Sequence, residues 1–389
     1  MITVGIDVAK DKHDCCILSS NGEKISFIIE NNLSGFNTLL ERILKEENNV
    51  DNIKVGLEST GHFSQNILKF LLNSGITTYL LNPLHAKDYR KSLLHRSTKT
   101  DKLDACILAD MLMSSRDLKP YCPLAYHNEE LKSLTRFRLS LIRQRAIWKT
   151  SVKRLVVLLF PELESFVSSI HSATIYKMLL EMPGASHIAK ANLTRLTNLL
   201  HKASRGRFNR EDAEKIREAA RNSIGSQNPA QCFELQKTIE FILSISQQID
   251  DVENEIKKYV SEEELPICSI PGMSVMAAAV IAGEIGDINR FETPDKLIAF
   301  AGLSPTIYQS GKIKNCHSHM EKKGSKYLRH VLYLTARQMA HASPRYKEYL
   351  EKKRKEGKHY FVAISHVMKR LVRLIFAILK SGNTYCEAA

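Results

Sequence analysis

No apolar run in this sequence is long enough to span a membrane, and its start lacks the basic-then-apolar pattern of a secretory leader. A cytoplasmic protein is therefore expected. The eight cysteines (15, 16, 106, 122, 232, 268, 316 and 386) include no Cys-x-x-Cys spacing, which argues against both a zinc ribbon and a disulfide framework. Cys316, His317 and His319 lie close together, but no second ligand cluster is spaced to match them, so a polar loop is the expectation there. Acids are scarce in one place above all. Residues 266–389 carry 20 basic and 9 acidic side chains, against 21 and 18 in residues 126–265 and 15 and 15 in residues 1–125. The net charge of +14 is thus concentrated in the C-terminal third, and the expected partner is a polyanion gripped mainly from there.

What is present begins with four carboxylates. Asp7 and Glu58 each interrupt a β-branched, glycine-containing run of buried-strand character, where a charge is costly unless it is paired or holds a metal. Asp101 and Asp104 open an apolar helical pattern (Leu103, Ile107, Leu108, Met111), and their spacing of three puts both on one helical face. Four acids so placed, in a chain rich in lysine and arginine, point to a Mg²⁺-dependent site acting on a phosphate backbone.

The pattern around them predicts an α/β domain. Strands are expected over 3–8, 15–19 and 25–30, with Asn21-Gly22 as a hairpin turn. Ser34 is a candidate cap for a helix running to Glu46, and a fourth strand over 53–57 ends at Glu58. A helix over 64–73 and a strand over 77–81 follow. This order of meander, helix, strand, helix, strand, helix is that of a ribonuclease-H-like fold, with the fourth strand beside the first and Glu58 brought near Asp7.

The connector from His85 to Lys102 is basic and leads into the acids, so contact with a nucleic-acid backbone is expected of Arg90, Lys99 and Lys102. Leu131–Arg154 holds eight basic residues and no acid, with Leu134, Leu141, Trp148 and Leu155 on a seven-residue repeat; Arg136 and Arg143 are its candidate contacts. A second heptad seam runs through Leu235, Ile242, Ile249 and Ile256. The two could pair with each other as an antiparallel hairpin or with another copy of the chain, and either way a helical coiled-coil stalk between two domains is expected. Ile270-Pro-Gly-Met and the alanine-rich helix after it have the pattern of a helix-hairpin-helix phosphate grip. Further on, Ser310 stands beside Lys312 and Lys314, with Lys322, Lys326 and Arg329 following. A serine hydroxyl is a poor nucleophile unless it is deprotonated or its target is strongly activated. From the residue pattern alone, an ordinary loop serine is the default reading.

In combination and order, Gly5-Ile-Asp-Val-Ala-Lys, Leu57-Glu-Ser-Thr-Gly, Thr98-Lys-Thr-Asp-Lys-Leu-Asp-Ala, Ile270-Pro-Gly-Met, Phe300-Ala-Gly-Leu-Ser-Pro, Gln309-Ser-Gly and Gly324-Ser-Lys-Tyr-Leu-Arg resemble the IS-one-ten family of insertion-sequence transposases. The resemblance covers residues 1–125 and about 266–380. It implies an α/β plus α architecture: a RuvC-like DEDD domain over 1–125, a coiled-coil linker over 126–265 and a mostly helical transposase domain over 266–389. It implies that Asp7, Glu58, Asp101 and Asp104 form a metal-binding tetrad for Mg²⁺, and that Ser310 forms a transient phosphoserine link to a DNA end. DNA, a structured guide (bridge) RNA and further copies of the chain, as a dimer or tetramer, are the implied partners. A DNA invertase belongs to the same family. The rival readings are a RuvC-like hydrolytic nuclease or resolvase and, outside enzymes, a nucleic-acid-binding scaffold.

Overall fold

The computed structural model describes residues 1–58, 63–81, 83–93, 100–115, 118, 120–121, 126–260, 265–305, 309–310, 313–314 and 319–386. The chain divides into two compact units, Met1–Pro123 and Leu124–Ala389.

The first unit is built on a five-stranded sheet. Strands β1 (Ile2–Val8), β2 (Lys12–Ser19) and β3 (Lys24–Glu30) form the expected meander, followed by α1 (Leu33–Glu46), β4 (Ile53–Glu58), α2 (Ser64–Asn73), β5 (Thr77–Leu81), α3 (Pro83–Leu93) and α4 (Asp101–Ser114). The spatial order is β3-β2-β1-β4-β5, with β1–β2 and β2–β3 antiparallel and β1–β4 and β4–β5 parallel. The expected adjacency of the first and fourth strands is present. Gly22 adopts φ +90° in the turn after Asn21, the left-handed region an Asn-Gly hairpin needs. One expectation is corrected. Helix α1 is capped by Asn32, whose side chain accepts from the Gly35 amide, and not by Ser34. Both residue types cap well. Asn32 prevails because Gly35 lies against the backbone of Glu30, where a Cβ would meet the Glu30 carbonyl oxygen at 2.2 Å. Leu39 and Ile43 then point into the sheet fully buried, each contributing about 2 kcal/mol.

The second unit is helical: α5 (Tyr126–Leu159), α6 (Ala173–Glu181), α7 (Ala185–Lys190), α8 (Leu193–Ser204), α9 (Arg210–Arg221), α10 (Pro229–Tyr259), α11 (Val275–Ile285), α12 (Pro294–Phe300), α13 (Lys326–Ala342), α14 (Pro344–Lys355) and α15 (Tyr360–Ser381), with a two-stranded hairpin, β6 (Gln309–Ser310) and β7 (Ile313–Lys314). Helices α5 and α10 lie side by side and antiparallel, since Arg138 meets Glu253, Arg145 meets Ser246 and Arg154 meets Glu234. Both heptad seams are turned inward. Leu141, Ile249 and Ile256 share one core, while Leu155, Leu235 and Ile242 belong to another with α6–α9. The α5 seam is broader than the heptad, because Val152, Val156 and Leu159 are buried as well where the small helices cover it. A third core unites α11, α12, α13 and α15. Gly272 of the Pro-Gly turn has φ +78°, and a Cβ there would lie 2.7 Å from the backbone of Gln338 and Met339 on α13. No helix among the described residues is long and apolar enough to cross a membrane.

Candidate active site

Glycine decides where the acids go. A Cβ on Gly5 would fall 2.0 Å from the Ala105 carbonyl oxygen and 2.5 Å from the Ala109 amide, so α4 rests directly on β1. Thr3 Oγ1 donates to the Ala109 carbonyl oxygen at 2.9 Å, which fixes the direction of the helix along the strand. Thr3, Gly5 and Asp7 alternate onto one face of β1. Moving from Thr3 to Asp7 therefore moves back along α4 from Ala109 to its first turn, where Asp101 and Asp104 stand. On β4, Gly56 lies under the Leu112 side chain of α4, and Glu58 follows on the same face. The register pairs Ile6 with Leu57, so Asp7 and Glu58 are neighbours at the ends of adjoining strands. Thr100 caps α4, its hydroxyl accepting from the Leu103 amide.

The electrostatics record the convergence. The Asp7 carboxyl is pushed up from 3.8 to about 6, first by burial and then by the charges of Asp104, Asp101, Glu58 and Asp14. Asp14 had no place in the motif pattern. It lies opposite Asp7 in the antiparallel register, and directly opposed residues share a face of the sheet. Its signal in the sequence was weak, because it follows Lys12 and His13 at the polar start of β2 and only the apolar run after it reads as strand. Asp104 is 5% exposed and forms an ion pair with Arg90. Arg90, expected to touch nucleic acid, thus faces an acid of the cluster. Among the described residues no group of three acids, histidines or cysteines stands at metal-binding spacing. The donor set nonetheless suits a hard divalent cation: all oxygen, mutually repelling, and short of positive charge around Asp7.

The second unit carries the serine. Ser310 ends β6 opposite Ile313; its side chain, that of Lys314, and all of Lys99, Lys312, Cys316 and His317 lie outside the described residues. The base of this segment is firmly tied. Pro305 bridges to Met320, the Glu321 amide donates to the Ser304 carbonyl, and the Ser325 amide donates to the Phe300 carbonyl. Gly324 is pressed so close that a Cβ would meet the Phe300 carbonyl oxygen at 2.0 Å. Arg329, another expected contact, donates to the Ala301 and Lys322 carbonyls and so braces the same base. Arg136 is held at Glu284 by two hydrogen bonds, from Nε at 2.6 Å and Nη2 at 3.0 Å, and stacks over Tyr327. Lys102, Arg143, Lys322 and Lys326 are exposed. Glu284 itself went unnoticed in the sequence, although a lone acid in an alanine-rich apolar helix carries the same signal as Asp7.

Comparison with known proteins adds a family. Residues 4–161 match a profile described as a transposase of the DEDD, IS110 kind, and residues 266–351 match one described as the transposase IS116/IS110/IS902 family. The IS116 insertion-element protein of Streptomyces clavuligerus is 24% identical, over 100% of this chain and 96% of its own. The pilin gene-inverting protein of Moraxella bovis is 21% identical, over 98% and 97%. The transposase for insertion sequence element IS1111A of Coxiella burnetii is 23% identical, over 86% and 76%. A solved RuvC of T. thermophilus bound to a Holliday junction overlaps 31% of this chain and 99% of its own at 14% identity, with a TM-score of 0.23, too poor a superposition to bear on function.

Proposed function

The chain belongs to the IS110 family of transposases, and from that premise we propose that it cuts and rejoins DNA through a phosphoserine intermediate at Ser310. Asp7, Glu58, Asp101 and Asp104 would hold Mg²⁺, which when bound supplies positive charge to the scissile phosphate. The observation that carries this reading is the gathering of the three other motif acids, with Asp14, around Asp7, whose carboxyl is raised to about 6 by burial and by their charges. In the proposed step the Ser310 oxygen attacks phosphorus in line, the bond from phosphorus to the 3′-oxygen breaks, and the serine proton ends on that oxygen. The ester stores the energy of the phosphodiester. A 3′-hydroxyl of another strand then attacks it, restoring a phosphodiester and the serine with no water consumed.

The remaining parts follow the same reading. The domains are 1–125, 126–265 and 266–389, with α5 and α10 as an antiparallel coiled-coil stalk and the Ile270-Pro-Gly-Met turn as a helix-hairpin-helix phosphate grip. A structured guide RNA selects the DNA, and the chain works in the cytoplasm of a bacterial or archaeal cell as a dimer or tetramer in which Ser310 of one copy can serve the acids of another. Lys99, Lys102, Arg143, Lys312, Lys314, Lys322 and Lys326 face the nucleic acid. Full-length similarity to a pilin gene-inverting protein supports a second outcome of the same chemistry, inversion of a DNA segment.

The test is direct. Protein, its guide RNA and substrate DNA are incubated with Mg²⁺ and resolved under denaturing conditions, where a DNA-linked protein band is expected. Ser310→Ala and Asp104→Asn should each abolish that band and lower strand cutting at least ~10³-fold. Free, unlinked ends from the Ser310→Ala protein would instead establish a hydrolytic nuclease. Rearrangement unaffected by either substitution would leave only a scaffold.

A further inference from the structure

Within the second unit, α5, the N-terminal part of α11 and the outer side of α13 enclose an open groove of about 820 Å³, closed at one end by α14 and the start of α15. Its floor is apolar, with Leu139, Ile142, Val280 and Leu334 among the lining, and Leu334 is 43% exposed. Its rim is cationic. Arg337 and Lys347 have no carboxylate partner among the described residues, and no acid among them lines the groove. His330 lies beside Arg143, and burial together with that guanidinium lowers its pKa, so it faces the groove as a neutral hydrogen-bonding ring at pH 7. At one end the Arg136 guanidinium, fixed by its paired bonds to Glu284, lies 4.4 Å from the Tyr327 ring centroid, and both line the groove.

We propose that this groove seats an unpaired nucleic-acid strand, distinct from the duplex that is cut; the inference rests on the DNA-processing function proposed above. Three features select this occupant. A duplex presents phosphates outward and keeps its bases stacked inside, so it would meet the cationic rim and leave the apolar floor bare. A helix from the C-terminal third of a second copy would cover the floor, but the rim would then require acids on that helix, and that third, with 9 acidic against 20 basic side chains, has few to offer. An unpaired strand offers both chemistries at once, backbone phosphates for Arg337 and Lys347 and base faces for Leu334, Tyr327 and the Arg136 plane. The volume suits about two nucleotides on the scale of small-molecule pockets.

The experiment measures anisotropy of labelled oligo-dT and oligo-rU of about ten nucleotides on the full chain, without divalent metal, so that it does not depend on catalysis. The duplex of the same length competes in a parallel arm. Binding of a single strand in preference to the duplex is expected. An R337Q/K347Q protein should bind on the order of tenfold more weakly, with a salt slope shallower by about 1.4, at about 0.7 for each phosphate no longer neutralised. Leu334→Ala should weaken binding while leaving the salt slope unchanged, because it removes only the apolar part. A 4-thio-substituted strand should crosslink on irradiation to peptides of α5 or α13. Tighter oligo-rU binding assigns the seat to RNA, and tighter oligo-dT binding to a displaced DNA strand. Equal binding of duplex and single strand, an unchanged salt slope in R337Q/K347Q, or crosslinks confined to other helices would each overturn the proposal. Loss of the covalent DNA adduct with single-strand binding intact would count against the proposed reaction and not against the groove.

Discussion

Removing Arg136 should damage this protein far more than removing the acid it is paired with. The Glu284 side chain is 1% exposed and accepts three hydrogen bonds, two from Arg136 and one at 2.8 Å from Ser325, whose hydroxyl also caps α13. The Arg136 side chain is 39% exposed. In Arg136→Met the carboxylate stays buried with its main counter-charge gone, at a cost of about 3–5 kcal/mol. Lys132 offers partial relief, since it is close enough to feel Glu284, but burial and then Arg136 hold its pKa down, so the lower end of that range is expected. In Glu284→Met the guanidinium can turn to water and keep its contact with Tyr327, so the loss falls to about 1–2 kcal/mol. The double variant removes both charges and should return to within about 1 kcal/mol of the parent.

Guanidinium denaturation of the four proteins, followed by a signal from the second unit, measures the cycle. For a unit of this size each kcal/mol is worth about 2–4 °C in a parallel thermal scan. The distinguishing result is a rescue: adding Glu284→Met to Arg136→Met should raise stability. Equal costs for the two single variants, or a double variant that shows their sum, would refute the account of Glu284 as a buried charge whose main counter-ion is Arg136.

Two further outcomes concern the first unit. The Asp7 carboxyl, raised to about 6, holds its proton more tightly than the unfolded chain does at 3.8, so stability should fall as pH rises through that window, with no penalty below 3.8 and the full penalty above 6. A shift of that size is worth about 3 kcal/mol undiscounted, and about half that for a group as solvent-accessible as this one. In chelator, Asp7→Asn should therefore flatten the pH profile and melt higher than the parent at pH 8; a lower melting temperature would contradict the acid cluster. Gly5→Ala should prevent α4 from seating and cost more than about 3 kcal/mol by overpacking against backbone, whereas Gly22→Ala, with open space around its φ of +90°, should cost only about 1 kcal/mol. Similar losses from the two, read from denaturation midpoints, would show that α4 does not need its close approach to β1.

Elements whose signal is local were legible in the sequence. The meander, the Asn21-Gly22 turn and the order of strands and helices in the first unit follow from alternation and turn chemistry within a few residues. So does the first-turn placement of Asp101 and Asp104 on α4. Where two local solutions compete, distant contact decides: Asn32 and Ser34 are equal as caps until Gly35 meets Glu30. Ion pairs between remote segments were not legible. Leu131–Arg154 has no acid of its own, and its helix read as a free positive face. Yet Glu253 and Glu234 from α10 and Glu284 from α11 reach Arg138, Arg154 and Arg136 across 80 to 148 residues of chain. The groove beside α13 has the same origin, since no stretch of sequence contains it.

One rule separates the acids of this chain by their use. A carboxylate set alone in an apolar run needs an opposing charge, and Asp7 and Glu284 meet that condition equally in the sequence. Around Glu284 the fold delivers the charge from within, as Arg136 with Ser325 beside it, and the group is consumed in holding three helices together. Around Asp7 the fold delivers more acid: each of the charges that most perturb it belongs to another carboxylate, and Arg90 answers at Asp104. An acid balanced internally is a structural strut. A cluster that the fold assembles against its own repulsion keeps its deficit of positive charge for something that binds, and that deficit, more than the presence of any single residue, is the physical case for chemistry at the end of β1.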